Sequence, residues 1–218
     1  MEKIVAPQSA TYENLRAMIY RINRKYPFVN CRVIGRSLAG RAIFALSVGC
    51  TCEPVLIVAG VHGSEWLTTL AALSFFENVC ESVCNRKELR GVCFYDILKY
   101  RGIVVVPCLN PDGVQIALTG EQGAGPYSEL VREVSGGLTA DWRANARGVD
   151  LNHNFNAGWK ELHQEEIEAG IVSAAPTRYG GECPESEPET SALVCFTRRI
   201  CPRFVIALHS QGEEIFWK

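Results

Sequence analysis

His62 and Glu65 stand three residues apart in His62-Gly63-Ser64-Glu65, and a second imidazole, His209, stands far downstream. Two ring nitrogens and one carboxylate, with a fourth position left to water, are the donor set of a catalytic zinc site rather than a closed structural one. Each half follows an apolar run: Val55 to Val61 leads into His62, and Phe204 to Leu208 leads into His209. Runs of this kind read as strands buried on both faces. In open α/β sheets ligands gather beyond the carboxyl ends of strands. Two neighbouring strand ends would therefore let residues so remote in sequence share one ion.

The elements that must hold these residues follow from periodicity. Leu15, Ile19 and Ile22 predict an amphipathic helix over 11–25, with Thr11 as its N-cap. Alternation over 29–36 and 42–48, joined by Leu38-Ala39-Gly40-Arg41, predicts a hairpin. Buried strands are expected over 54–61, 102–108 and 203–209, and helices over 65–84 and 187–200. This alternation predicts a single domain, 1–218, folded as a three-layer α/β/α sandwich around a mixed, mostly parallel sheet. The stretch 114–185, rich in Gly, Pro and polar residues, is expected to be irregular and to carry function or motion.

A chain of 218 residues can bury a substantial core. Its net charge of −2 offers no electrostatic ground for nucleic acid or an anionic membrane as partner. No apolar stretch reaches the roughly 20 residues of a membrane span, and the N-terminus lacks the apolar core of a signal peptide; a cytoplasmic location is expected. The ten cysteines are scattered, without paired CxxC motifs. Most are expected to be small buried hydrophobes in a reducing compartment. Cys80 and Cys84, one helical turn apart, have poor geometry for a disulfide.

Further blocks follow the first in order: Asn110-Pro111-Asp112-Gly113, then Arg143 to Phe155, then Glu185-Ser186-Glu187-Pro188-Glu189-Thr190, then His209-Ser210-Gln211. From about Tyr12 onward this ordered set resembles the zinc carboxypeptidase superfamily. The resemblance implies zinc held by His62, Glu65 and His209, and an oxyanion stabilised by Arg143, a fixed cation beside developing charge. It implies that Asn152 contacts the carboxylate of a peptide substrate. Asp112 is expected either to orient His62 or its loop or to serve only as a turn residue.

The sequence also departs from the family pattern. His153 stands where ordinary members carry an arginine, which offers a carboxylate a permanently charged fork that histidine lacks; Asn152 with His153 is the expected substrate contact. Ser64 stands where digestive members carry an arginine. The stretch from His209 to Trp217 is similar to the bacterial branch of γ-D-glutamyl-diamino-acid peptidases, which implies a peptidoglycan-derived peptide as substrate. Beyond the third ligand the family continues to further strands, a general-base glutamate and a tyrosine that have no matching positions here. The fold is thus expected to be incomplete at its C-terminal side and turnover to be low, with Glu213 and Glu214 as loop or pocket residues. Two alternatives stay open: a catalytically silent binding module for peptidoglycan peptides, and a zinc amidohydrolase of acyl-amino acids. His163, in the run Glu161 to Glu168, is read as part of a solvated helix without chemistry, and Trp142, Trp159 and Trp217 as packing residues.

Overall fold

The computed structural model describes residues 3–211 and 214–215. Glu213 and Trp217 lie outside them. The chain runs α1 (Tyr12–Lys25), β1 (Asn30–Arg36), β2 (Ala42–Val48), β3 (Val55–Val58), α2 (Leu67–Asn85), α3 (Phe94–Ile97), β4 (Ile103–Val106), α4 (Pro111–Thr119), α5 (Ser128–Ser135), α6 (Trp159–Glu168), α7 (Pro188–Ile200) and β5 (Phe204–Ala207). The expected Thr11 cap is present, its hydroxyl accepting from Asn14 N.

The five strands form one mixed sheet in the order β1-β2-β4-β3-β5. The hairpin and the β2–β4 pair are antiparallel, while β4–β3 and β3–β5 are parallel. Alternation along the strands divides the core. Leu46, Val48, Ile57, Ile103 and Val105 pack with α1 and α2 on one face. Ile43, Ala45, Leu56, Val58, Val104 and Val106 pack with Leu193 and Phe196 of α7 on the other. This is the three-layer α/β/α sandwich expected from sequence. A third cluster gathers Trp142, fully buried, with Ile116, Val131 and Ala144.

The segment 114–185 corrects an expectation. It contains most of α4 and all of α5 and α6, together with 3-10 turns. Gly120, Gly136 and Gly158 sit at the ends of these short elements, which hides the helical period from a long window. The cysteines are corrected as well: all ten are free thiols, but only Cys80 and Cys108 are buried. Cys195 and Cys201 are exposed residues of α7 and its cap. No helix among the described residues is long and apolar enough to cross a membrane.

Candidate metal centre

The chain leaves β3 at Val58, runs through Ala59-Gly60-Val61, and turns at His62 into a 3-10 turn over Gly63–Glu65. The turn is held against the segment that carries Arg143. Gly63 N donates to Arg143 O at 3.1 Å and Ser64 N to Trp142 O at 2.8 Å. The approach is so close that a Cβ on Gly63 would lie 2.3 Å from Gly113 O and 2.6 Å from Trp142 O. Only glycine fits there. Asn110, fully buried beyond β4, fastens the junction: its Nδ2 donates to Val61 O and Ala144 O, while its Oδ1 caps α4 through Gly113 N.

Two strand ends then bring the three residues together. His62, Glu65 and His209 each present a ligand atom, and these atoms lie within 4.8 Å of one another. His209 Nδ1 is 2.9 Å from Glu65 Oε2 and 3.1 Å from His62 Nδ1. Arg143 closes the group, with Nη1 donating to Glu65 Oε1 at 2.9 Å and Nη2 to His62 Nδ1 at 2.8 Å. It also bonds the side chain of Gln211.

His62 Nε2 lies 3.1 Å from Asp150 Oδ1, a carboxylate that only accepts, so a proton on Nε2 is satisfied there and Nδ1 is left facing the cluster. A buried carboxylate behind the imidazole, with the opposite lone pair aimed at the cluster, is the arrangement that orients metal-ligating histidines. Asp150 is itself saturated: Asn152 N shares Oδ1, while Thr177 Oγ1 and Arg178 N donate to Oδ2. Burial alone would raise its pKa, but His62 and these donors hold it well below the usual carboxylate range. Glu65 is likewise held ionised despite burial, through hydrogen bonds to His209 and His62 and the charge of Arg143. An ionised carboxylate and an imidazole lone pair facing one point, with a second imidazole 3.1 Å away, suit a divalent cation such as zinc.

The other expected site residues lie differently. Asp112 does not reach His62. Its carboxylate accepts from Ser37 Oγ, Ala39 N and Arg41 Nη1, pinning the hairpin turn before β2. At the start of α4 it faces the hairpin, and the anchoring role expected of it falls to Asp150. Asn152 and His153 occupy the 3-10 turn Leu151–His153, capped by Asp150. Neither is hydrogen-bonded to the trio among the described residues. Asn152 is exposed beside an apolar groove that includes Phe155, Leu193 and Val205. His153 Nδ1 bonds Glu166 Oε1 at 2.7 Å, and His163 takes the other oxygen at 3.2 Å. The helix expected to be solvated thus buries Glu166. Trp159 stacks on His163 with ring centroids 4.4 Å apart.

Sequence reasoning missed Asn110 and Asp150. Asn110 carried a signal, an Asn before a proline opening a helix. Asp150 carried none beyond its place between Arg143 and Asn152.

The zinc carboxypeptidase family pattern matches residues 15–218. The chain belongs to the zinc carboxypeptidase family. Members of this family are zinc-dependent, and His62, Glu65 and His209 form a group that could hold a metal ion. Bacillus subtilis (strain 168) protein YqgT is 34% identical over 205 residues, covering 91% of this chain and 53% of its own length. Gamma-D-glutamyl-L-diamino acid endopeptidase 1 of Lysinibacillus sphaericus is 29% identical, covering 96% of this chain and 52% of its own length. Murein peptide amidase A of Escherichia coli (strain K12) is 34% identical, covering 80% and 57%. This zinc carboxypeptidase chain thus spans about half the length of the curated relatives it matches. In fold it is similar to the crystal structure of thrombin-activatable fibrinolysis inhibitor, with a TM-score of 0.71 at 23% identity, over 97% of this chain and 53% of that one.

Proposed function

We propose that this protein is a zinc-dependent peptidase acting on cell-wall peptides, at the amide between a D-glutamyl γ-carboxyl and a diamino acid. The observation that carries the reading is the anchored His62, whose Nδ1 faces Glu65 and His209. Two similar proteins are named for hydrolysis of such peptides, which supports the substrate class.

Bound zinc supplies Lewis acidity at the trio, the usual route to polarising a carbonyl and activating water. Arg143 donates here to the lone pairs that a metal would take. With those lone pairs engaged, its Nη groups are free to hold an oxyanion, an interaction worth about 10²–10³ in rate. Asn152 and His153 orient the substrate's carboxylate.

The test combines zinc titration with an assay on γ-D-glutamyl-meso-diaminopimelate against an α-linked dipeptide. One zinc per chain, lost in His209→Ala, with hydrolysis of the γ-linked bond, is the expected result. No zinc uptake, or turnover unchanged by His62→Ala, would overturn the reading.

One observation favours a second reading, binding of the same peptide without turnover. Asp150 is the carboxylate behind His62, and both its oxygens are saturated, so it cannot serve as proton acceptor. Binding of the γ-linked peptide by zinc-loaded protein, with no product after prolonged incubation, is the outcome this reading expects.

A further inference from the structure

A second cavity lies at the opposite end of the sheet, beyond the carboxyl end of β2 and the amino ends of β3 and β4. Its volume is about 350 Å³. It opens because α7 and the sheet diverge. At Gly35 the helix presses so close that a Cβ there would lie 2.4 Å from Ala192 Cβ. One and two turns further on, Phe196 and Ile200 line the cavity together with Ala45, whose single methyl leaves the space unfilled.

A backbone irregularity aims a cation into this space. In the hairpin Gly35 pairs with Ile43, but Val33 pairs with Phe44 and Arg32 with Ala45, so Ile34 is an extra residue in β1. Without the bulge, alternation would set Val33 opposite Ala45, on the face that α7 covers. With it, Arg32 takes that place, and Val33 turns to the other face, where it is 51% exposed. Bulges re-aim side chains in this way, and a slip of one residue exchanges the two faces of a strand. Arg199, in the last turn of α7, lines the same cavity.

Two exposed cations line the cavity. Among the described residues neither Arg32 nor Arg199 makes a hydrogen bond or an ion pair, and no acidic side chain lines the cavity. Arg199 has a reason to be where it is, since cations suit helix C-termini. Arg32 lies opposite Ala45 on the edge strand β1, exposed at the cavity rim with Ser47 beside it. Guanidinium forks match phosphate oxygens in pairs, and the floor of Val104, Phe196 and Ile200 is apolar.

We propose that this cavity binds a small organic anion with a doubly charged head on an apolar body, a phosphate monoester being the class that fits. Arg32 and Arg199 grip the head, and the body lies against Ala45 and Phe196. The site shares no residue with the His62, Glu65 and His209 centre, so it holds or falls independently of the peptidase reading.

Phenyl phosphate is the probe, titrated into the protein at about physiological ionic strength and followed by amide chemical shifts. Saturable binding at one site is expected, with shifts at Gly49, Cys50 and Arg199. Arg32→Gln and Arg199→Gln each weaken it about tenfold, Arg32→Lys weakens it less, keeping the charge but losing the fork, and His62→Ala leaves it unchanged. Non-saturating shifts, or a double Arg32→Gln, Arg199→Gln variant that folds cooperatively and binds as the wild type does, overturn the proposal. Benzoate binding as tightly as phenyl phosphate would sink the doubly charged head, and inorganic phosphate binding as tightly would sink the apolar body.

Discussion

A metal held by His62, Glu65 and His209 would depend on residues that never touch it. His62 can offer its Nδ1 lone pair only while its proton is kept on Nε2, and Asp150 keeps it there. Replacing Asp150 by Asn removes the charge and weakens the acceptor, at a position where shape is conserved. Zinc affinity, measured by chelator competition, is expected to fall about 10–100-fold, the usual effect of losing such a partner, with the far-ultraviolet circular dichroism unchanged. An Asp150→Asn protein that binds zinc as tightly as the wild type would show that the tautomer is set elsewhere. That His62, Glu65 and His209 come together was legible in the sequence because imidazole and carboxylate at strand ends are chemically distinctive. Asp150 was not, because its importance lies in a pairing across 88 residues of chain. Asp112 misled for the complementary reason: it is buried, acidic and next to a site block, but the start of α4 faces the hairpin.

At the scale of elements, long apolar runs and periodic helices were readable, and their ends were not. Strands expected over 54–61 and 102–108 pair only over Val55–Val58 and Ile103–Val106, because the apolar residues beyond them continue as buried loop toward the site. Ala59, Val61, Cys108 and Leu109 are all buried outside any strand. The bulge in β1 was also illegible, since nothing in Val33-Ile34-Gly35 announces an extra residue; the close packing of α7 on Gly35 accompanies it. That contact is testable. Gly35→Ala forces two methyl carbons together and is expected to destabilise the fold by about 1–3 kcal/mol in urea melts, as overpacking does. Ala192→Gly in the same chain removes the clash and should recover much of the loss, a coupling a double-mutant cycle reads directly. Additive effects would mean that the helix moves aside freely.

The whole molecule carries two uncompensated features. The first is β5, an edge strand whose Phe204, Val205 and Ile206 are about half exposed. Unprotected apolar edges template pairing between chains, so sedimentation is expected to show concentration-dependent self-association that Val205→Lys suppresses. A monodisperse monomer at every concentration would contradict this. The second feature is a buried negative cluster. Glu189 at the start of α7 is fully buried, its carboxylate accepting from Leu38 N at 3.2 Å and Asn145 Nδ2 at 3.4 Å. Burial chiefly, with the charges of Asp112 and Glu187, pushes its pKa up to about 7. Arg41 and Arg147 answer those two neighbours, not Glu189 itself. The sign follows from linkage. Between the unfolded value near 4.5 and the folded value, the native state holds a proton that the unfolded chain has lost. Stability therefore falls as pH rises through this window, and the whole penalty is present above about pH 7. Glu189→Gln keeps an acceptor for Leu38 N and cannot ionise. It is expected to be more stable than the wild type by on the order of 2 kcal/mol at pH 8, and to lose that advantage at pH 4, where the carboxyl is neutral in both states. Urea melts at pH 4, 6 and 8 read the difference; a gap between variant and wild type that stays constant across the three would show that folding leaves the Glu189 pKa unshifted.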